Sequence, residues 1–123
     1  MKLVSPKITP KNKHAQSILA SSKIRLLRLV GNNPVNKNAK SVHLESEIAI
    51  LQGFYSGNNN ADTLYILFHG WEGSANSTYI QLLANSLYKN KQASVFRLNF
   101  RDHGATHHLN KEIFHSCRLT EVV

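Results

Sequence analysis

The most regular pattern of apolar and polar positions lies between residues 63 and 100. Residues 63–68 are apolar at nearly every position, which predicts a strand buried on both faces, as in a parallel sheet. Residues 77–89 carry apolar side chains at the spacing of one buried helical stripe, namely Ile80, Leu83, Ala84, Leu87 and Tyr88. Residues 93–100 form a second apolar segment. This order predicts a βαβ unit, in which a helix connects two parallel strands.

Polar residues mark the ends of the predicted helix. Ser77 or Thr78 is suited to cap its start, and Thr78 with Gln81 matches a capping box. Asn90, which lies between two lysines, suits its C-terminal end. We therefore expect a helix with defined ends over residues 77–89.

Weaker patterns precede this unit. Residues 41–57 predict one or two strands, with a buried face drawn from Val42, Leu44, Ile48, Ile50 and Phe54. Residues 31–40 are rich in asparagine and contain Pro34, which predicts a loop, and residues 57–60 predict a turn. Nearer the N-terminus we expect an extended lead-in over residues 1–13, a short helical turn over 14–20 and a strand over 24–30.

Beyond residue 100 the chain becomes polar. Residues 101–111 predict a loop that contains His103, His107 and His108. Their spacing would suit a metal on a helix but not in a loop, so we expect them to pack the loop and to bind no metal. Residues 112–123 predict the start of a helix, with Cys117 on one of its faces rather than acting as a nucleophile.

Basic residues are concentrated near the N-terminus. The formal net charge is +8, and residues 1–44 hold nine lysines and arginines but no acidic residue. Such a segment could bind nucleic acid or an anionic membrane surface. A solvated face is the simpler interpretation, because the basic residues are scattered and no aromatic residue lies among them to stack on bases.

Composition excludes several classes of protein. With 41% hydrophobic and 18% charged residues, the chain does not belong to the disordered class. A single cysteine forms neither an internal disulfide nor a zinc framework. The apolar run at residues 64–68 is too short for a transmembrane helix, and the first residues lack the apolar core of a secretory signal. We therefore expect a cytoplasmic protein.

The turn after the first apolar strand carries the candidate chemistry. Its sequence is Phe68-His69-Gly70-Trp71-Glu72-Gly73-Ser74. Two glycines ahead of a capped helix leave backbone N–H groups free to face an anion, although neither phosphate-binding glycine motif is present. The turn suits one donor of an oxyanion hole in an acyl-transfer enzyme, and a purely structural turn is the alternative.

The residues of this turn resemble an esterase branch of the α/β-hydrolase superfamily, whose signature is His-Gly-x-Glu-Gly. Residues 67–74 read Leu-Phe-His-Gly-Trp-Glu-Gly-Ser. Further segments occur in the order found in that branch: His-Ala-Gln-Ser-Ile-Leu at 14–19, Asn-Phe-Arg at 99–101 with Gly104 beyond, and His-Ser at 115–116. The resemblance runs from about residue 11 to the last residue. It departs at Ala105, where the branch leads us to expect an acidic residue.

The resemblance implies both a fold and an activity. The fold would be the N-terminal half of a mostly parallel α/β-hydrolase sheet with flanking helices, formed by residues 41–123 after a basic lead-in and first strand at residues 1–40. The activity would be hydrolysis of a small-molecule carboxylic ester through an acyl-serine intermediate, without cofactor, metal or specific nucleic acid. The backbone N–H of Trp71 would be one oxyanion donor, held by His69 and Gly70.

The nucleophile of such a site is missing from these residues. The elbow G-x-S-x-G needs glycines four apart, and only Gly53 and Gly57 have that spacing, with Tyr55 between them. Because the acid and the histidine follow the serine in this fold, we expect an N-terminal portion of a longer hydrolase, inactive alone and dependent on the C-terminal half for stability. Residues 64–68 would then leave an apolar sheet edge beside residues 93–100. The alternative is a basic interaction module that binds nucleic acid or an anionic surface through residues 1–44.

Overall fold

The computed structural model describes residues 12–21 and 33–115. The chain divides into two compact units, residues 1–31 and residues 32–123. In the first unit, helix α1 spans Lys13–Ser21, which confirms the predicted helical turn and extends it. The lead-in up to residue 11, the strand predicted at residues 24–30 and the position of Cys117 lie outside the described residues. The division expected between residues 40 and 41 stays a prediction.

The second unit is built around a four-stranded sheet of order β1-β2-β4-β3. Its strands are β1 (Ala39–Glu45), β2 (Ile50–Ser56), β3 (Leu64–Phe68) and β4 (Ser94–Leu98). Helix α2 (Pro34–Lys37) precedes the sheet, and helix α3 (Thr78–Asn90) connects β3 to β4. Strands β3 and β4 are parallel, so the predicted βαβ unit is confirmed.

The sheet is mixed rather than mostly parallel. β1 pairs with β2, and β2 with β4, in antiparallel register, and β3–β4 is the one parallel pair among the described strands. β1 and β2 form a hairpin because Ser46 closes the turn between them: its hydroxyl donates to Ala49 O and accepts the Ala49 N–H, both at 3.1 Å. The α/β class therefore holds for the described residues, and the expected mostly parallel sheet is not confirmed.

Helices α2 and α3 pack on one face of the sheet. The buried cluster there consists of Val35, Leu67, Ile80, Ala84 and Val95. The predicted stripe of α3 is largely confirmed, because Ile80 and Ala84 are buried and Leu87 and Tyr88 pack against them. Leu83 differs, since its side chain is 48% exposed.

A smaller apolar cluster lies on the opposite face. Ala49, Leu51 and Leu98 are buried there, and Phe96 packs against them. The Phe96 ring lies so close to Gly53 that a Cβ at that position would be 2.1 Å from it. The missing side chain of Gly53 is therefore what lets the ring approach the backbone of β2.

The predicted buried face of the hairpin is wrong. Leu44 and Ile48 are exposed, and Val42, Ile50 and Phe54 are only half-buried. Ile48 lies in the turn between the strands, so the two-residue alternation does not run through it. The buried positions of β2 begin at Leu51 instead.

Among the described strands, β3 lies at the edge of the sheet, and it is mostly exposed. Of its five residues, Leu67 alone is buried, whereas Leu64, Ile66 and Phe68 are 51%, 52% and 46% exposed. The prediction of a strand buried on both faces is therefore wrong, because apolar composition shows what a strand could bury and not what covers it. The prediction of an apolar edge beside β4 is confirmed.

Three sequence predictions about helices differ from the structure. Ser77 is the N-cap of α3, but its side chain makes no capping bond, and Gln81 bonds Asn33 and Asn36 instead of closing a capping box. Residues 34–37 form α2 rather than a loop, because Asn33 caps that helix and Pro34 occupies its first turn. Of the helix predicted over residues 112–123, residues 112–115 are not helical and the rest lies outside the described residues. Residues 101–111 form the predicted loop.

The helices found in residues 12–21 and 33–115 have 9, 4 and 13 residues. None of them is long and apolar enough to cross a membrane.

Candidate functional site

The candidate site is the turn that follows β3. The Gly73 N–H donates to Gly70 O at 3.0 Å, so residues 70–73 form a tight turn. Glu72 has a φ of 52°, the left-handed conformation that a type II turn needs at its third residue. A Cβ on Gly73 would lie 2.9 Å from Gly70 O, so lack of space requires glycine at that position.

His69 is buried at the end of β3, and both of its ring nitrogens bond the main chain. The Phe100 N–H donates to Nε2 at 3.2 Å, so Nε2 carries no proton and Nδ1–H donates to Gly70 O at 2.9 Å. Burial lowers the pKa of the His69 imidazole; the bond to Gly70 opposes this shift, and the neighbouring His103 adds to it. The neutral ring thus connects the turn to Phe100, the second residue after β4.

Tyr79 holds the turn from the side of α3. The Gly70 N–H donates to the Tyr79 hydroxyl at 2.5 Å. The same oxygen lies 3.5 Å from the position of a Cβ on Gly70 and 3.1 Å from that of a Cβ on Gly73. The phenol therefore crowds a side chain on Gly73, whereas a Cβ on Gly70 would lie at an ordinary contact distance from it.

The backbone N–H of Trp71 is an open donor of the turn, as is that of Glu72. The amides of Gly70 and Gly73 are used within the fold, whereas that of Trp71 has no hydrogen-bond partner among the described residues. The Trp71 side chain is 78% exposed, and its ring meets the Phe114 ring edge-on at 6.5 Å. An acceptor from outside these residues could therefore bond the Trp71 amide.

Two side chains from the β4 side hold Ala75, between the turn and α3. Asn99 Oδ1 accepts the buried Ala75 N–H at 2.7 Å, and Arg97 donates to Ala75 O at 3.3 Å. Asn99 also donates to Gln52 Oε1 at 3.2 Å. The start of α3 is thereby fixed to β4 and, through Gln52, to β2.

Arg97 is fully buried on the helix-covered face of the sheet. No carboxylate pairs with it among the described residues, and its Nε has no partner there. The guanidinium lies 5.5 Å from the centre of the Phe54 ring. Burial lowers its pKa below the ordinary value.

An aromatic cluster adjoins the turn. The Phe100 ring stacks on Phe68 at 5.8 Å and on Phe114 at 5.5 Å. His103 packs edge-on against Phe114 at 4.8 Å and lies 4.7 Å from His69. This cluster meets the Trp71 side chain through the Phe114 ring.

The loop after β4 is held by bonds from side chains to the main chain. Asn110 bonds both the N–H and the C=O of Ile50, at 2.9 and 2.8 Å. Arg101 is buried, donates to Ile48 O at 2.6 Å and meets Glu112 at 3.4 Å. Gly104 has a φ of 69° and lies against Asn99, which leaves no space for a Cβ. The Asn-Phe-Arg segment therefore ties this loop to the turn and to the hairpin.

The loop histidines have neighbours of their own. His103 Nδ1 bonds Arg101 O at 2.8 Å, and His107 pairs with Asp102. Within the described residues no three histidine, cysteine or acidic side chains are grouped so as to hold a metal ion. His108 is exposed.

A separate cleft of about 760 Å³ lies at the other end of the strands. Lys37, Lys40, Tyr55 and Tyr88 line it together with residues 57–60, and no acidic side chain is among its lining residues. The structure therefore places two of the basic residues of the segment 1–44 beside one cavity.

The sequence predicts the position of the turn but not most of the side chains that contact it and the residues beside it. His69, Gly70 and Trp71 follow one another at the end of β3. The resembling segment 99–101 meets them through the Phe100 N–H, which bonds His69, whereas the Arg101 side chain bonds Ile48 O. The sequence does not predict that Tyr79 bonds Gly70, that Arg97 bonds Ala75 or that Phe114 meets Trp71. The helical phase of Tyr79, two residues after the N-cap, was a usable signal, because it places the residue in the first turn of α3.

No protein-family model matches the chain, and no curated protein sequence matches it. Membership of the α/β-hydrolase superfamily is thus a proposal that rests on the motifs and on the geometry of the turn.

Proposed function

We propose that residues 69–73 form the oxyanion-binding turn of an α/β-hydrolase that cleaves carboxylic esters. The observation that carries the proposal is the unbonded backbone N–H of Trp71, in a tight turn between a parallel strand and a helix. In α/β-hydrolases, one oxyanion donor comes from the loop between the third strand and the following helix. The turn between β3 and α3 has that position here.

The arrangement of strands supports the same proposal. The resemblance places residues 63–68 between residues 93–100 and the strand that leads to the nucleophile. β3 does lie parallel to β4, and the opposite edge of β3 has no partner strand among the described residues. The finer assignment, an α/β-hydrolase sheet whose further strands would be parallel, belongs to this proposal.

The chemical role of the turn would be to stabilise negative charge. When a nucleophile attacks an ester carbonyl, the oxygen becomes an anion, and a fixed N–H at that position lowers the barrier by about 3 kcal/mol. The Trp71 amide would be that donor, with His69 bracing the turn and Tyr79 holding Gly70. The serine, acid and histidine would lie outside these 123 residues, so we expect no ester turnover by this chain alone.

Anion binding at the Trp71 amide tests the proposal directly. In ¹⁵N-resolved NMR spectra, titration with butyrate should shift the Trp71 amide more than any other amide of residues 33–115. Trp71→Pro removes the N–H and should abolish the response, whereas the matched control Trp71→Phe keeps the N–H and should retain it. A Trp71 amide unmoved by the carboxylate, with α3 folded, would contradict the proposal.

A second function, binding of an anionic surface or nucleic acid through residues 1–44, also has one supporting observation. Lys37 and Lys40 line the acid-free cleft beside Tyr55. This proposal predicts binding of a polyanion that weakens steeply with salt. Lys37→Gln with Lys40→Gln should then reduce the slope of log affinity against log salt by about 1 to 2, whereas the exposed pair Lys89→Gln and Lys91→Gln should not change it.

A further inference from the structure

We propose that His69 is an acid-sensitive switch in the turn at residues 70–73. While its ring is neutral, it fixes the peptide group that carries the Trp71 N–H, and a second proton on the ring releases that group. The switch itself depends only on hydrogen bonds within the chain, whereas its effect on a bound anion rests on the proposed function.

The two partners of the His69 ring fit one protonation state. The Phe100 N–H donates to Nε2 at 3.2 Å, and Nδ1–H donates to Gly70 O at 2.9 Å. A backbone N–H can only donate and a backbone carbonyl can only accept, so these bonds require one bare and one protonated ring nitrogen. A ring protonated on both nitrogens would direct Nε2–H at the Phe100 N–H, and the two donors could not stay in contact.

The bond to Gly70 O controls the direction of the Trp71 N–H. The Gly70 C=O and the Trp71 N–H belong to one planar trans peptide group, so they turn together. The oxygen accepts bonds from His69 Nδ1–H at 2.9 Å and from the Gly73 N–H at 3.0 Å. Because the imidazole ring is rigid, it cannot move Nε2 away from Phe100 without also moving Nδ1 relative to Gly70 O. Release of the ring would leave this peptide oxygen bonded by Gly73 alone.

Phe100 is the fixed partner in this contact. Its ring stacks on Phe68 at 5.8 Å and on Phe114 at 5.5 Å. The backbone N–H of the preceding residue donates to Gln52 O at 2.8 Å. We therefore expect the His69 ring, rather than the Phe100 backbone, to move when the two donors meet.

The surroundings of the ring oppose a second proton. His69 is buried, and the ring of His103 lies beside it, with the two ring centres 4.7 Å apart. The other titratable or charged side chains on the elements around it are Glu72 in the turn, Tyr79 on α3, Arg97 on β4, and Arg101 and Asp102 in the loop. None of the acidic side chains in the described segments bonds the ring, and Asp102 pairs with His107 instead.

These surroundings set the range of pH in which the switch operates. Burial lowers the pKa of the His69 ring against the opposing effect of its bond to Gly70, and His103 lowers it further. The ring therefore takes up its second proton only in solution more acidic than about pH 6.5. At neutral pH the turn is held in the closed arrangement.

The first test follows the switch by NMR from neutral pH down to the pH at which the chain unfolds. The ¹⁵N shifts of the His69 ring report its protonation state, and we expect Nε2 to gain a proton at the same midpoint at which the Phe100 and Trp71 amides shift. His69→Gln keeps an oxygen that can accept a bond from the Phe100 N–H but does not titrate, so it should lose this transition. His103→Gln should keep the transition at a higher pH, because His103 lowers the pKa of His69.

The second test measures binding of butyrate at the Trp71 amide over the same range, above the titration of carboxylic acids at about pH 4. If the released turn does not hold the anion, the apparent affinity falls with the neutral fraction of His69, by up to about tenfold for each pH unit below its pKa. Simple attraction between an imidazolium and a carboxylate gives the opposite result, tighter binding in acid. His69→Gln should bind butyrate with the same affinity throughout.

Several results would overturn the switch. One is a His69 ring that gains its second proton while the Phe100 and Trp71 amides keep their shifts. Another is protonation that occurs only with global unfolding, seen as simultaneous loss of the α3 amide signals. Butyrate that binds the protonated form as tightly as the neutral form, or more tightly, would also contradict it. A coupled transition of the ring and both amides, in a chain that binds butyrate at no pH, would support the switch and contradict the proposed function.

Discussion

The contact between Phe96 and the bare backbone of Gly53 leads to the first prediction at the residue scale. A Cβ at Gly53 would lie 2.1 Å from the Phe96 ring, so Gly53→Ala must displace a ring that packs against the buried Leu51 and Leu98. Overpacking of this kind costs about 1 to 3 kcal/mol. Urea denaturation should show a loss of unfolding free energy in that range.

Gly70→Ala is the control for that measurement. Its new Cβ would lie 3.5 Å from the Tyr79 hydroxyl, an ordinary contact distance. We expect its unfolding free energy to change by less than about 0.5 kcal/mol. Equal losses for the two variants would mean that the Phe96 contact is not the cause.

The lowered pKa of His69 leads to a prediction that the free energy of unfolding depends on pH. Its pKa is lowered in the folded chain by burial, so below pH of about 6.5 the unfolded chain binds a proton that the folded chain does not. The stabilising contribution of His69 to the free energy of unfolding is therefore present above that pH, and it is lost as the pH falls toward the pKa of the folded state. The slope for one proton is at most about 1.4 kcal/mol per pH unit.

The measurement is urea denaturation between pH 7.5 and pH 5.5. His69→Gln should flatten the decline of stability with falling pH, whereas the exposed His108→Gln should leave it as in the wild type. A decline that persists unchanged in His69→Gln would assign it to other groups.

At the scale of elements, Asn99 joins β4 to the start of α3. Asn99→Ala would leave the buried Ala75 N–H without an acceptor, which costs about 1 to 3 kcal/mol. The Ala75 amide should then exchange with solvent faster than in the wild type. Gln52→Ala removes only the second partner of Asn99 and keeps the 2.7 Å bond to Ala75, so its Ala75 amide should stay protected. Equal exchange of the Ala75 amide in both variants would contradict the proposed role of Asn99 as its acceptor.

The β3–α3–β4 unit could be predicted because its evidence is local. Apolar spacing fixes which face of α3 is buried, and Ser77 is a favoured N-cap residue wherever the helix packs. Helix α2 was equally local and was missed, since Asn33 and Pro34 are an N-cap and a first-turn residue as well as loop residues. Asparagine and proline favour both structures, and the packing of Val35 decides between them.

The exposure of β3 and the hydrogen bonds that hold residues 70–75 could not be predicted in the same way. Strand β3 has the apolar composition of a core strand. Whether its side chains, such as that of Ile66, are buried depends on what packs against the faces and the edge of the strand. The bonds from Tyr79 to Gly70 and from Asn99 to Ala75 join residues 9 and 24 positions apart. Such contacts follow from the placement of α3 on the sheet, which periodicity alone does not give.

At the scale of the whole molecule, the two units differ sharply in charge. Residues 1–31 hold seven basic residues and no acidic one, whereas residues 32–123 are nearly neutral. The +8 net charge is therefore not a property of the sheet domain. Contacts made through the sheet should depend little on salt, and contacts made through the N-terminal unit should depend on it strongly.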